Sequence, residues 1–163
     1  MINCIAVDDE SLALDLLADN ISKVPYLNLI ACCKDAFSAA KALREHTIDL
    51  VFIDIQMPGL TGLQLIDSLQ QKPMVILITA YKHYALDGYR LNVLDYLLKP
   101  VDMVRFMKAC DKAMELYQLR QSTKELSVKE NSRSLSLHYF FLNVDYSMVK
   151  VVYSDIVWIE GLH

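Results

Sequence analysis

The feature that most constrains this chain is an alternation, repeated over residues 1–119, of short β-rich apolar runs with longer amphipathic stretches. Runs of four to seven apolar residues are too short for core helices, and the stretches between them repeat their apolar positions at helical spacing, so the pattern is that of strand-helix units around a parallel sheet. Strands are expected at residues 3–7, 27–33, 50–53, 75–78 and 95–98, with helices at 11–22, 36–45, 62–70 and 84–90. A longer helix should start at Asp102, a good N-cap, because Phe106, Met107, Cys110, Ala113, Met114 and Tyr117 then share one face. The fold class is therefore α/β, a doubly wound five-stranded parallel sheet. With 54% hydrophobic and 22% charged residues, the chain has the material for a packed core.

Beyond residue 119 the apolar stripe gives way to Gln, Ser, Lys, Glu and Asn, so residues 120–136 read as a helix tail running into a linker. Residues 139–144 and 148–153 are β-rich runs around a turn at 145–147, and 156–159 resembles a third strand. Three short strands without a helix to cover them seldom stand alone, so residues 137–163 are expected to be a partial β-rich segment, the opening of an incomplete second domain. The net charge of -4 supplies no basic field for nucleic acid, so this fragment alone should bind DNA weakly or not at all.

Cys4, Cys32, Cys33 and Cys110 lack the spacing of a zinc site and are expected to be reduced core residues. His46, His83, His138 and His163 are scattered without ligand spacing and read as surface or loop positions. No apolar run approaches the ~20 residues of a membrane span, and Met1 leads into a strand pattern without a basic leader, so a cytoplasmic chain with no membrane partner is expected.

The chemistry lies at the strand ends. Asp8 and Asp9 follow the first strand and Asp54 follows the third, so a parallel sheet brings all three carboxylates to its carboxyl edge, where doubly wound folds bind ligands. Asp8-Asp9-Glu10 alone would be an ordinary solvated helix N-terminus. With Asp54 added, mutual repulsion is relieved by a hard divalent cation, and magnesium is the natural occupant. Thr79 and Lys99 close the fourth and fifth strands; singly they would be a strand residue and a snorkelling surface cation. Together they bring a hydroxyl and an ammonium to the acids, the set an aspartate needs to accept a phosphoryl group.

Asp8-Asp9-Glu10, Phe52-Ile53-Asp54-Ile55-Gln56-Met57-Pro58-Gly59, Thr79-Ala80 and Tyr96-Leu97-Leu98-Lys99-Pro100 together resemble the response-regulator receiver family over residues 1–119. The resemblance implies a flavodoxin-like sheet of order 2-1-3-4-5, and Asp54 as acceptor of phosphate from the phosphohistidine of a sensor histidine kinase. It implies magnesium bound by Asp9, Asp54 and the Gln56 backbone carbonyl, with Asp8 assisting, and Lys99 and Thr79 as partners of the phosphoryl oxygens. A cis Lys99-Pro100 peptide is implied as well. Thr79 and Tyr96 would form the switch, Tyr96 turning into space that Thr79 vacates as about -1.5 to -2 charges arrive on Asp54. Gln56 and Tyr81, each two residues past a site residue, would set how long the acyl phosphate lasts.

Thr79-Ala80-Tyr81-Lys82-His83-Tyr84-Ala85-Leu86 and Asn92-Val93-Leu94-Asp95 look more like receivers of LytTR-type (LytR/AlgR) regulators, and Tyr139-Phe140-Phe141-Leu142, Val149-Lys150-Val151 and Asp155-Ile156-Val157-Trp158-Ile159-Glu160-Gly161 resemble the first strands of a LytTR DNA-binding domain. This implies a transcription-regulating output on DNA and a homodimer upon activation, with the family's main DNA contacts beyond His163. The chain is thus expected to be a signalling switch and not an enzyme. Aspartyl-phosphate hydrolases carry Asp-x-Asp where this chain has Asp54-Ile55-Gln56. The alternative is a stand-alone receiver acting through protein-protein binding.

Overall fold

The computed structural model describes residues 1–70, 72–81, 93–131, 139–144 and 147–152. Two compact units emerge, Met1–Gln121 and Ser122–His163. In the first, strands β1 (Ile2–Val7), β2 (Leu27–Cys33), β3 (Leu50–Ile53), β4 (Met74–Thr79) and β5 (Asp95–Leu98) form one parallel sheet in the order β2-β1-β3-β4-β5. Helices α1 (Ser11–Ser22), α2 (Ala36–Glu45), α3 (Gly62–Ser68) and the part of α4 (Met103–Asn131) up to Gln121 accompany it.

The central strands are covered on both faces, which is why they read as unbroken apolar runs and not as alternations. Ile2, Cys4 and Ala6 of β1, Leu50 and Phe52 of β3, and Met74, Ile76 and Ile78 of β4 enter one core with Leu14, Leu17 and Ile21 of α1 and Phe106, Ala109, Cys110 and Ala113 of α4. The intervening Ile5, Val7, Val51, Ile53, Val75 and Leu77 enter the other, with Ala36, Ala39 and Ala42 of α2 and Leu65 and Ile66 of α3. Phe52 and Phe106 stack with ring centroids 5.3 Å apart, fastening α4 to the sheet centre.

Helix starts follow their caps. Asp35 accepts from the Ser38 amide at α2, Thr61 and Gln64 form a reciprocal capping box at α3, and Asp102 accepts from the Arg105 amide at α4. Helix α3 stops at Ser68, two residues before the expected end, because the Ser68 hydroxyl donates to the Leu65 carbonyl and the Leu69 amide turns back to Ile66. Helix α4 continues to Asn131, through residues expected to thin into a linker: Arg, Gln, Lys, Glu and Leu sustain a helix by propensity after the apolar stripe has ended. In the second unit β6 (Tyr139–Val144) and β7 (Ser147–Val152) pair antiparallel. The expected helix at 84–90 and strand at 156–159 lie outside the described residues, as do His83, His138 and His163.

Cys32 corrects one expectation: it is exposed on edge strand β2, whereas Cys4, Cys33 and Cys110 are buried, and all four are free thiols. Burial pushes the Cys4 and Cys110 thiols up to about 12, so neither is a nucleophile near neutral pH. His46 is exposed at the end of α2. Among the described residues no helix is long and apolar enough to cross a membrane.

The β5 edge is braced by charge. Asp95 pairs with Lys112 at 2.9 Å and Arg105 at 3.2 Å. Burial pushes the Asp95 carboxyl up, but its bonds to Lys112 and the Tyr96 amide and the field of Arg105 more than offset this and hold it below 3.8. A depressed folded-state pKa adds stability that is present above the unfolded value and lost as pH falls through the folded one. Asp95→Asn should therefore lower stability at pH 7 by about 1 kcal/mol, since both cations are half exposed, and urea unfolding should show the difference from the parent closing as pH drops below 3.8. Phe106→Ala, which empties the stack under α4, should cost about 3–5 kcal/mol by the same measurement.

Candidate functional site

Every acid, hydroxyl and ammonium singled out at a strand end arrives at one edge of the sheet. Asp8 follows β1 and Asp54 follows β3, the pair of strands between which the winding reverses, and the Asp54 amide donates to Val7 across them at 2.9 Å. Asp8 and Asp54 are buried while Asp9 faces solvent, and ligand oxygens of all three lie within 4.8 Å of one another. The spacing suits an oxygen-liganded divalent cation.

Lys99, reached through β5, sets its Nζ 2.6 Å from Asp8 Oδ2 and 3.0 Å from Asp54 Oδ2. Burial pulls the ammonium down, but the hydrogen bonds and charges of the two carboxylates more than offset it and hold Lys99 above its ordinary range. Burial pushes the Asp8 carboxyl up against the opposing bonds from Lys99 and the Glu10 amide. The Lys99-Pro100 peptide is cis.

Two backbone donors were not anticipated. The Glu10 amide donates to Asp8 Oδ1 at 3.1 Å and the Gln56 amide to Asp54 Oδ1 at 3.3 Å. Each is an aspartate bonding the backbone two residues on, a tendency of Asp in turns that the Asp-x-Glu and Asp-x-Gln spacings could have signalled. They orient one oxygen of each carboxylate, leaving the other to Lys99.

Thr79 ends β4 fully buried, and its Oγ1 has no hydrogen-bond partner among the described residues. An orphaned buried hydroxyl costs about 1–3 kcal/mol, which a strand-end threonine would not carry for packing alone, since valine has the same shape. Tyr96 packs partly buried, and its hydroxyl donates to the Tyr81 carbonyl. Burial, and secondarily the Asp54 charge, push the phenol up, so Tyr96 stands within electrostatic reach of the acid. Gln56 and Tyr81 are both exposed. A cleft of about 390 Å³ opens beside Asp8 and Lys99, bounded by Leu12 and Leu16 of α1 and by Pro100.

Residues 4–111 match the response regulator receiver domain family. The chain belongs to that family. It is 30% identical over 162 residues to the sensory transduction protein LytT of Bacillus cereus, covering 98% of this chain and 65% of LytT. It is 31% identical over 140 residues to the transcriptional regulatory protein BtsR of Escherichia coli, covering 83% of this chain and 56% of BtsR. The fold superposes on the response regulatory domain of mrkE from Klebsiella pneumoniae with a TM-score of 0.67 at 29% identity, over 72% of this chain and 99% of that one. This receiver chain spans about half the length of most curated relatives it matches.

The orphaned hydroxyl makes a direct prediction. Thr79→Val should leave the receiver as stable as the parent or more stable by about 1 kcal/mol in urea. A loss of that size would mean that the hydroxyl is already satisfied.

Proposed function

We propose that this receiver is the phosphoaccepting part of a two-component response regulator, with Asp54 taking a phosphoryl group from the phosphohistidine of a sensor histidine kinase. The observation that carries the reading is the position of Lys99, bridging Asp54 and Asp8 beside a buried threonine hydroxyl that has no partner among the described residues. A carboxylate oxygen of Asp54 attacks phosphorus as the donor's P–N bond breaks. The imidazole leaves with its electron pair and takes up a proton, and a mixed anhydride remains on Asp54. Lys99 compensates the charge added on the transferred oxygens, and the Thr79 hydroxyl donates to one of them.

The donor set fits a hard cation, because the Asp8, Asp9 and Asp54 oxygens are close enough to share one. Magnesium would be held by Asp9, Asp54 and the Gln56 carbonyl with Asp8 assisting, and would supply the remaining charge neutralisation. Gln56 and Tyr81, exposed at the rim, set the rate at which water reaches the anhydride. Leu12 and Leu16, exposed on α1 beside the cleft, offer the kinase an apolar footing next to the acceptor.

Phosphorylation draws Thr79 toward the new oxygens, and Tyr96, now bonded to the Tyr81 carbonyl, follows into the space behind it. The changed surface at β5 and α4 promotes a homodimer and drives a transcription-regulating output. Residues 120–136 are the connection and 137–163 the opening of a LytTR-type DNA-binding domain in a cytoplasmic regulator. The resemblance to LytT across nearly the whole chain, the name of BtsR and the β6-β7 hairpin support that assignment.

Incubation with a small phosphodonor such as acetyl phosphate should label the parent only with magnesium present, and chelation should abolish the label. Asp54→Asn should take up none. Undiminished labelling of that variant would refute Asp54 as the acceptor.

A further inference from the structure

Gly62 opens α3, yet its φ is not in the left-handed region, so its own backbone does not require a glycine. What requires it is Asp54. A Cβ on Gly62 would lie 2.1 Å from the Asp54 carbonyl oxygen, 3.1 Å from the Asp54 carbonyl carbon and 3.0 Å from Ile53 Cγ1. The contact is with backbone, so no side chain can swing aside to admit a methyl group. Alanine would be the better helix former at this position, which makes the glycine costly for α3 and informative about the neighbour it touches. Gly59, by contrast, has a φ of 81° and nothing within 4 Å of its Cβ position; its glycine serves the turn.

Both sides of the contact are pinned. The Asp54 amide is bonded to Val7 at 2.9 Å, and its carboxylate is held by Lys99 and the Gln56 amide. The Gly62 amide donates to the Ile55 carbonyl at 3.0 Å, which holds the start of α3 in place. The segment from Ile55 to Thr61 is thus a closed loop whose end returns onto the residue at its beginning.

From this geometry we infer that Gly62 is a positioning residue for phosphoryl transfer: the bare Cα lets α3 seat directly on the Asp54 peptide and so fixes where the Asp54 carboxylate stands relative to Asp8 and Lys99. The inference rests on Asp54 being the acceptor. A methyl group at residue 62 must widen the contact by more than an ångström to reach ordinary van der Waals separation. A displacement of that size at a reacting group lowers transfer rates by about 10²-fold.

The test compares Gly62→Ala with Thr61→Ala, which removes the helix cap and should lower Tm without pressing on Asp54. Magnesium-dependent labelling by acetyl phosphate is followed at saturating donor and metal, below the Tm of each variant, and normalised to the folded fraction from near-ultraviolet circular dichroism. The expected result is labelling about 10²-fold slower for Gly62→Ala and within a few-fold of the parent for Thr61→Ala, with a crystal structure of Gly62→Ala showing the Asp54–Lys99 contact opened beyond its present 3.0 Å. Equal rates in parent and Gly62→Ala would overturn the inference, as would equal losses in both variants. A Gly62→Ala chain that folds at no temperature would also overturn it, because the glycine would then serve the whole core. If the parent itself takes no label, the acceptor reading fails, and the Asp54–Lys99 distance in the variant still decides whether Gly62 positions Asp54.

Discussion

Lys99 holds two buried carboxylates together from the far end of the sheet. Without its ammonium, Asp8 and Asp54 would face each other across the β1-β3 boundary as like charges removed from water, an arrangement that persists only when a cation stands between them. The bond also ties the end of β5 to the ends of β1 and β3, closing the carboxyl edge of the sheet around one small volume. The same ammonium joins Asp54 to the strand that carries Tyr96.

The polar groups of the site are unequally satisfied. Asp8 and Asp54 each have one oxygen on a backbone amide and the other on Lys99, whereas Thr79 has a buried hydroxyl with no partner among the described residues. The acids are held still and the hydroxyl is left with bonding capacity to spare. If Asp54 takes up a phosphoryl group as proposed, an unsatisfied donor in the packed interior beside it is a place where that event can become a shift in position. Tyr96 is tethered by its hydroxyl to the residue two past Thr79.

Much of this was legible before folding because the strands are short, apolar and buried on both faces, so their ends could be counted from the pattern alone. Helix starts at Asp35, Thr61 and Asp102 carry side-chain oxygens that accept the first amides, and these too are local events. Expectations slipped where a boundary depended on competition between weak terms. Ser68 ends α3 early through one hydroxyl-carbonyl bond, and α4 runs on past its apolar stripe. Cys32 looked like its neighbour Cys33, but adjacent residues of a strand face opposite ways and β2 is an edge.

The sequence by itself determined the architecture, the edge at which the acids emerge and the identity of the residues gathered there, since all of these follow from the order of elements and from which residue ends each strand. It could not determine who holds whom. That Lys99 bridges Asp8 and Asp54, that Thr79 finds no partner among the described residues, and that Gly62 presses its bare Cα on the Asp54 peptide are relations between residues 8 to 91 positions apart, or across a returning loop. Their distances are set only when both cores close and bring the ends of separate strands into contact.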